Sequence, residues 1–136
     1  MKDDKYFLQL ALDKANEVNG KHKFGALVVV DGEVVSIDCN HVWERKDPSA
    51  HAEVCAIRIA TTKIGSHNIN GATLYGSHEP CVMCFVCAAW SGIERIVFAN
   101  RANNETHDSY EFTELSLEDL AEKINRNIKI DYINLG

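Results

Sequence analysis

The sequence has no apolar run that approaches the roughly 20 residues needed to span a bilayer. Its first residues, 1–7, include two aspartates and lack the apolar stretch with which a signal peptide would continue. No linker, repeat or low-complexity tract interrupts the chain. These absences indicate a cytoplasmic protein without membrane contact, folded as one domain over residues 1–136.

The sequence contains five cysteines, an odd number, and it shows no secretion signal. An odd count in such a chain argues against a disulfide framework. Three of the five, Cys81, Cys84 and Cys87, fall within seven residues. This clustering favours a metal site.

Basic residues are outnumbered by acidic ones, 14 against 20, which gives a net charge of −6. Proteins that bind nucleic acid through its phosphates usually carry a basic surface, because counterion release drives that binding. The acidic total therefore favours a small-molecule substrate over a nucleic-acid partner.

Hydrophobic periodicity and turn signals divide the chain into alternating helices and strands. We expect helices over 3–18, 51–64, 81–91 and 117–125, and strands over 24–30, 33–39, 72–77, 94–99 and 127–133. Asp31-Gly32 predicts a hairpin between the first two strands, whereas helices between the later strands favour parallel crossovers. The result is an α/β fold, a three-layer α/β/α domain with a mixed five-stranded sheet, in which 40–49 and 100–113 are loops.

Two short motifs carry the chemistry, His51-Ala52-Glu53 and Pro80-Cys81-Val82-Met83-Cys84. Each begins a predicted helix, and helix N-termini favour thiolates. One imidazole and two thiolates supply three ligands to Zn²⁺ and leave the fourth tetrahedral position open for water, as in catalytic sites. Glu53 is close enough to that position to act as general acid and base. The sequence therefore predicts a zinc ion held by His51, Cys81 and Cys84.

A structural zinc site is the alternative, with Cys87 as a fourth ligand one helical turn further on. That arrangement leaves Glu53 without a role, and such a cysteine is more often a small buried hydrophobe. We expect four other histidines to lie at the surface or in loops, without a second metal-ligand residue beside them: His41, His67, His78 and His107.

With both motifs in place, the chain resembles the cytidine and deoxycytidylate deaminase superfamily over nearly its whole length. The resemblance implies a cytidine-deaminase-like fold, hydrolytic deamination with zinc as cofactor, and Glu53 as the catalytic residue. It also implies a homodimer with its sites near the subunit contact, for which apolar residues on the last helix and the edge strands are candidates.

Within the superfamily, segments 24–26, 48–54 and 79–84 resemble those of guanine deaminases and tRNA adenosine deaminases. This implies substrate contacts from Phe24, Asn40 and Ala52. Asp108-Ser109-Tyr110 resembles a segment of the bacterial guanine deaminases, which implies that Asp108 contacts the base. The alternative for Asp108 is a solvated acid in a loop.

A free purine base such as guanine is therefore the favoured substrate. The guanine deaminases continue into a C-terminal helix that covers the site, whereas residues 127–136 of this sequence predict a strand and no helix after it. A more open pocket would admit cytosine or a nucleoside. Two further readings remain, a tRNA-specific adenosine deaminase and a non-catalytic zinc-binding or interaction domain.

Overall fold

The computed structural model describes residues 2–102, 109–112 and 114–136. Its strands are β1 Gly25–Val30, β2 Glu33–Cys39, β3 Thr73–Gly76, β4 Arg95–Phe98 and β5 Lys129–Tyr132. Its helices are α1 Asp4–Ala15, α2 Val42–Arg45, α3 Ala52–Ile64, α4 Val82–Trp90 and α5 Leu117–Ala121. No helix within these ranges is both long enough and apolar enough to cross a membrane.

The five strands form one mixed sheet in the order β2-β1-β3-β4-β5. β1 pairs antiparallel with β2 and with β3, whereas β3–β4 and β4–β5 are parallel. Asp31 and Gly32 both adopt positive φ in the hairpin between β1 and β2, as the turn signal predicts. The predicted mixed sheet is confirmed.

Helices cover both faces of the sheet, and β1 shows this most directly because it is apolar on both sides. Ala26 and Val28 pack into the cluster that contains Ile57 of α3. Leu27, which points to the opposite face, packs with Phe7 of α1. The predicted three-layer α/β/α arrangement is therefore present.

Gly25, at the start of β1, lets α1 lie directly on the strand. A Cβ atom at this position would lie 2.2 Å from the Ala11 carbonyl oxygen and 2.7 Å from the Ala15 nitrogen. Both atoms belong to the main chain of α1, so a side chain here would force the helix away from the sheet.

One helix is missing from the prediction, and two predicted helices end too late. The predicted loop 40–49 contains the four-residue helix α2. α1 ends at Ala15, because the amides of Glu17 and Val18 bond to carbonyls three residues back and tighten the chain into a turn. α5 begins after the predicted Ser116 cap but ends at Ala121, and the asparagines at 125 and 127 have weak helix propensity.

The exposed apolar surface agrees with the prediction only in part, because Val34 on the edge strand β2 and Tyr132 on the edge strand β5 are each 40% exposed. Leu117 of α5 is buried in the core, so the last helix does not offer the expected apolar face. Met83, Val86 and Trp90 of α4 are exposed instead. Their spacing places them on one side of the helix.

Candidate metal centre and substrate cleft

His51 and Cys81 occupy equivalent positions, the N-caps of α3 and α4. Neither side chain caps its own helix, so both are free to turn toward each other. Cys84, the third residue of α4, is fully buried beside them. The two motifs thus meet at the adjacent beginnings of two helices, as the sequence predicts.

The three donor atoms form a nearly equilateral triangle. His51 Nδ1 lies 3.6 Å from Cys81 Sγ and 3.5 Å from Cys84 Sγ, and the two sulfur atoms are 3.6 Å apart. Ligands of one tetrahedral zinc are separated by about 3.8 Å for two sulfurs and about 3.6 Å for nitrogen and sulfur, because the usual bond lengths fix these separations. This donor set therefore fits a zinc ion.

The two thiols share a hydrogen bond that makes them unequal. The hydrogen bond with Cys84 and the neighbouring His51 lower the pKa of Cys81 to about 4 against the opposing effect of burial. The same hydrogen bond and burial raise the pKa of Cys84. A site that stabilises one thiolate already is suited to a cation, whose binding deprotonates the second.

Glu53 lies in the first turn of α3, two residues after His51, and its side chain is buried. Burial and the charge of Cys81 raise the pKa of Glu53 to about 7. A carboxyl group with a pKa near neutrality can both accept and donate a proton under ordinary conditions.

A cleft of about 240 Å³ opens over this group of residues. His51, Glu53 and Cys81 line it, so the candidate metal centre faces solvent and not a closed core. The other lining residues are His22, Phe24, Asn40, Val42, Trp43, Glu79, Ser109 and Tyr110. An accessible position beside three ligands is the mark of a catalytic zinc site.

Two of the predicted substrate contacts line the cleft. Phe24 is half-buried, with its ring edge-to-face against His78 at 4.8 Å. Asn40 accepts a hydrogen bond from the Phe24 amide at 2.8 Å and donates one to the His22 carbonyl at 3.0 Å. Asn40 therefore holds this wall in place, and its contact with a substrate stays a prediction.

The other two predicted contacts differ in what the structure describes of them. The Ala52 side chain is fully buried in the core, and a contact between Ala52 and a substrate stays a prediction. Asp108 lies outside the described residues, as does His107, and its contact with the base stays a prediction.

His22 and Trp43 are cleft residues that the sequence analysis missed. Their rings stack at 4.8 Å with an interplanar angle of 10°. His22 Nδ1 also lies 3.2 Å from Ser109 Oγ, which brings opposite walls of the cleft together. A tryptophan in a polar loop could have been noticed, but nothing local marks a contact between residues 87 positions apart.

Asp38, Cys39 and His41 form a second group of potential ligands. Asp38 Oδ1 and His41 Nε2 are 2.7 Å apart, a hydrogen-bond distance, whereas oxygen and nitrogen ligands of one tetrahedral zinc lie about 3.4 Å apart. Burial lowers the pKa of His41, but hydrogen bonds to Glu44 and Asp38 outweigh it and raise the pKa. The group is therefore an ion-pair cluster.

These contacts correct the expectation for His41, which is half-buried and bonded on both ring nitrogens. His67 is exposed, as expected, and His78 lies in a loop against Phe24. Cys87 is half-buried against the core and does not belong to the group formed by His51, Cys81 and Cys84. The alternative with Cys87 as a fourth ligand therefore has no geometric support.

Comparison with known proteins gives a consistent family. A family model described as the cytidine and deoxycytidylate deaminase zinc-binding region matches residues 1–100. The tRNA-specific adenosine deaminase of Aquifex aeolicus is 40% identical over 96 residues, 69% of this chain and 64% of that protein. Guanine deaminase of Bacillus subtilis is 40% identical over 76 residues, 56% and 49% respectively. The chain thus spans less than two thirds of either relative.

Solved structures similar to this chain belong to the same two kinds of deaminase. A tRNA:A34 deaminase from a study of A-to-I editing superposes with a TM-score of 0.81 at 26% identity, covering 95% of this chain and 98% of that one. Guanine deaminase from Bacillus subtilis superposes with a TM-score of 0.72 at 26% identity, covering 99% and 87%. The fold predicted from sequence is confirmed by both.

Proposed function

The chain belongs to the cytidine and deoxycytidylate deaminase family, and we propose that it catalyses the hydrolytic deamination of an aminopurine with zinc as its cofactor. One observation carries this proposal. The Glu53 carboxylate lines the same cleft as His51 and Cys81, so a proton-transfer group and an open metal position face one substrate.

The reaction exchanges an amino group for oxygen, since substrate and water yield the oxo product and ammonia. Zinc, when bound by His51, Cys81 and Cys84, supplies a Lewis acid that activates water. Glu53 takes a proton from the attacking water and delivers it to the ring nitrogen. It then takes the proton of the newly added hydroxyl group and transfers it to the amino group, which leaves as ammonia while the oxo group forms.

An aminopurine is proposed because adenosine and guanine, in the names of the relatives, share that ring system. Phe24 and Tyr110 give the cleft aromatic walls, against which a flat ring can stack. The segment resemblance that includes Asp108 and the net charge of −6 make a free base such as guanine the first candidate.

A purine within a single-stranded RNA loop is the second candidate, and one feature of the cleft favours it. Trp43 is 64% exposed where it stacks on His22, so it offers a platform for a neighbouring base. Four exposed basic residues flank this pair along the chain: Lys21, Lys23, Arg45 and Lys46. Together they could track a phosphate backbone despite the acidic total.

Ammonia release separates the two candidates. Initial rates are measured on guanine, adenine, cytosine, cytidine and an adenosine-bearing tRNA stem-loop, at two salt concentrations. We expect turnover of a free purine base that varies little with salt. Turnover of the stem-loop alone, falling steeply as salt rises, would replace the first candidate by the second.

Trp43→Ala provides a second test between a free base and RNA as the substrate. If RNA is the substrate, lost stacking raises KM for the stem-loop roughly tenfold. For a free base held deeper in the cleft, KM changes less than about threefold. Tyr6→Ala on α1 is the matched control, because Tyr6 is 42% exposed and does not line the cleft.

A further inference from the structure

Glu79 connects the Cys81 side of the cleft to the wall that carries Tyr110. Its amide donates to the Asn100 carbonyl at 2.7 Å, and its carbonyl accepts the Tyr110 hydroxyl at 2.5 Å. Its carboxylate accepts the Ala102 amide on Oε1 at 3.1 Å and the Leu117 amide on Oε2 at 2.9 Å. These four hydrogen bonds all reach residues that follow β4.

The two carboxylate bonds fix both ends of one segment. Ser109 and Tyr110 lie in the chain between Ala102 and Leu117, and both line the cleft. Attachment of Ala102 and Leu117 to one side chain limits how far the nearby Ser109 and Tyr110 can move from the cleft. The Tyr110 hydroxyl adds a third attachment to the same residue.

Glu79 is itself held in place. Only 5% of the residue is exposed, and Pro80 and the ligand Cys81 follow it directly in the chain. A shift of Ala102, Tyr110 or Leu117 is therefore resisted by the same stretch of main chain that positions a metal ligand.

We propose that Glu79 is a positioning residue that sets the distance between the metal centre and the Tyr110 wall, and thereby the affinity of the cleft for its substrate. The proposal rests on the proposed deaminase function for its kinetic consequence. The hydrogen bonds of Glu79 described above reach the residues after β4, and none of them joins it to a metal-ligand donor atom or to Glu53. Glu79 therefore acts on substrate binding more than on the chemical step.

The chemistry of the side chain explains why glutamate stands here. Two main-chain donors approach two different oxygen atoms, and a carboxylate offers an acceptor to each. Glutamine replaces one oxygen with an NH₂ group. That group is itself a donor, so it cannot accept the hydrogen bond from the main-chain amide that it faces. Aspartate keeps both oxygens but is one methylene shorter, so it cannot span both amides without movement of the segment.

Glu79→Gln tests the proposal on the full chain, with guanine or the stem-loop as substrate, whichever the unaltered protein deaminates. We expect KM to rise about tenfold, kcat to stay within about threefold and zinc content to be unchanged. Amide hydrogen exchange should quicken at Ala102 and Leu117 and stay as before in α3. Glu79→Asp should give intermediate values, and it serves as the second variant if the Glu79→Gln protein does not fold.

Glu118→Gln is the matched control. Arg101 Nη2 lies 2.5 Å from Glu118 and Arg101 Nη1 lies 3.4 Å from Glu79, so both acids share this cation. The control removes the same charge but leaves the carboxylate that accepts hydrogen bonds from the amides of Ala102 and Leu117. KM should therefore change less than about twofold. An unchanged KM and unchanged exchange in Glu79→Gln would overturn the proposal. Exchange needs no substrate, so it decides the matter even if the proposed deamination is absent.

Discussion

Cys81 Sγ lies 3.6 Å from His51 Nδ1, although 30 positions separate these residues in the chain. The contact exists because α3 and α4 begin side by side on one face of the sheet. Each helix places a ligand at its N-cap, and Cys84 completes the set one turn into α4. A pair of local motifs thereby becomes one metal centre.

We expect one zinc per chain, held by His51, Cys81 and Cys84 as the only protein ligands. Cys84→Ser should lose the metal, because a fully buried hydroxyl replaces a thiolate. Cys87→Ser should retain one equivalent, since Cys87 lies outside the ligand group. Elemental analysis of the purified proteins measures this, and loss of zinc from the Cys87 variant would make the site a structural one.

Asp4 ties α1 to the sheet, and its contribution should depend on pH. Arg95 donates to both carboxylate oxygens at 2.8 and 2.7 Å, and Tyr75 donates to one at 2.7 Å. Hydrogen bonds from Arg95 lower the pKa of Asp4 below 3.8 against the opposing effect of burial. The stabilisation is therefore complete above that value and is lost as pH falls through the lowered pKa.

Asp4→Asn should reduce the free energy of unfolding by about 1 kcal/mol at pH 7, because the pair is partly exposed to water. The difference from the unaltered protein should shrink at pH values below 3.8. Urea unfolding at several pH values measures both. Asp13→Asn, on the exposed side of α1, is the control and should change stability little at any pH.

A homodimer is expected, with the exposed face of α4 in the contact. Trp90 is 73% exposed and shares this face with Met83 and Val86. Trp90→Glu should shift the protein to a monomer, because it places an unpaired charge in an apolar contact. Light scattering gives the mass, with Ile64→Glu on α3 as the control. A monomer before any substitution would remove the basis for this expectation.

The sequence predicts those elements whose signals are local. Asp31-Gly32 specifies its hairpin through two residues that tolerate positive φ. Ser116 and Asp119 form a reciprocal capping box at the start of α5. The ligand residues are likewise marked locally, because the two motifs that contain them are each continuous in the sequence.

Other features depend on contacts between distant parts of the chain. α2 is four residues long, too short to show a hydrophobic period. The stacking of His22 on Trp43 and the bond from Tyr110 to Glu79 join separate loops to the cleft. Asn40 is a predicted substrate contact, yet two of its hydrogen bonds brace the neighbouring main chain. Such roles follow from packing, which a single sequence does not display.

Turnover by a zinc-replete Glu53→Ala protein tests the central claim most directly. Glu53 is proposed to move every proton of the cycle, so its loss should lower kcat by about 10⁴-fold, the upper end for acid–base catalysis. Zinc content and folding should be unchanged, and Glu122→Ala, an exposed control at the C-cap of α5, should keep normal activity. A zinc-replete Glu53→Ala protein that still deaminates its substrate at a near-normal rate would contradict the proposed mechanism.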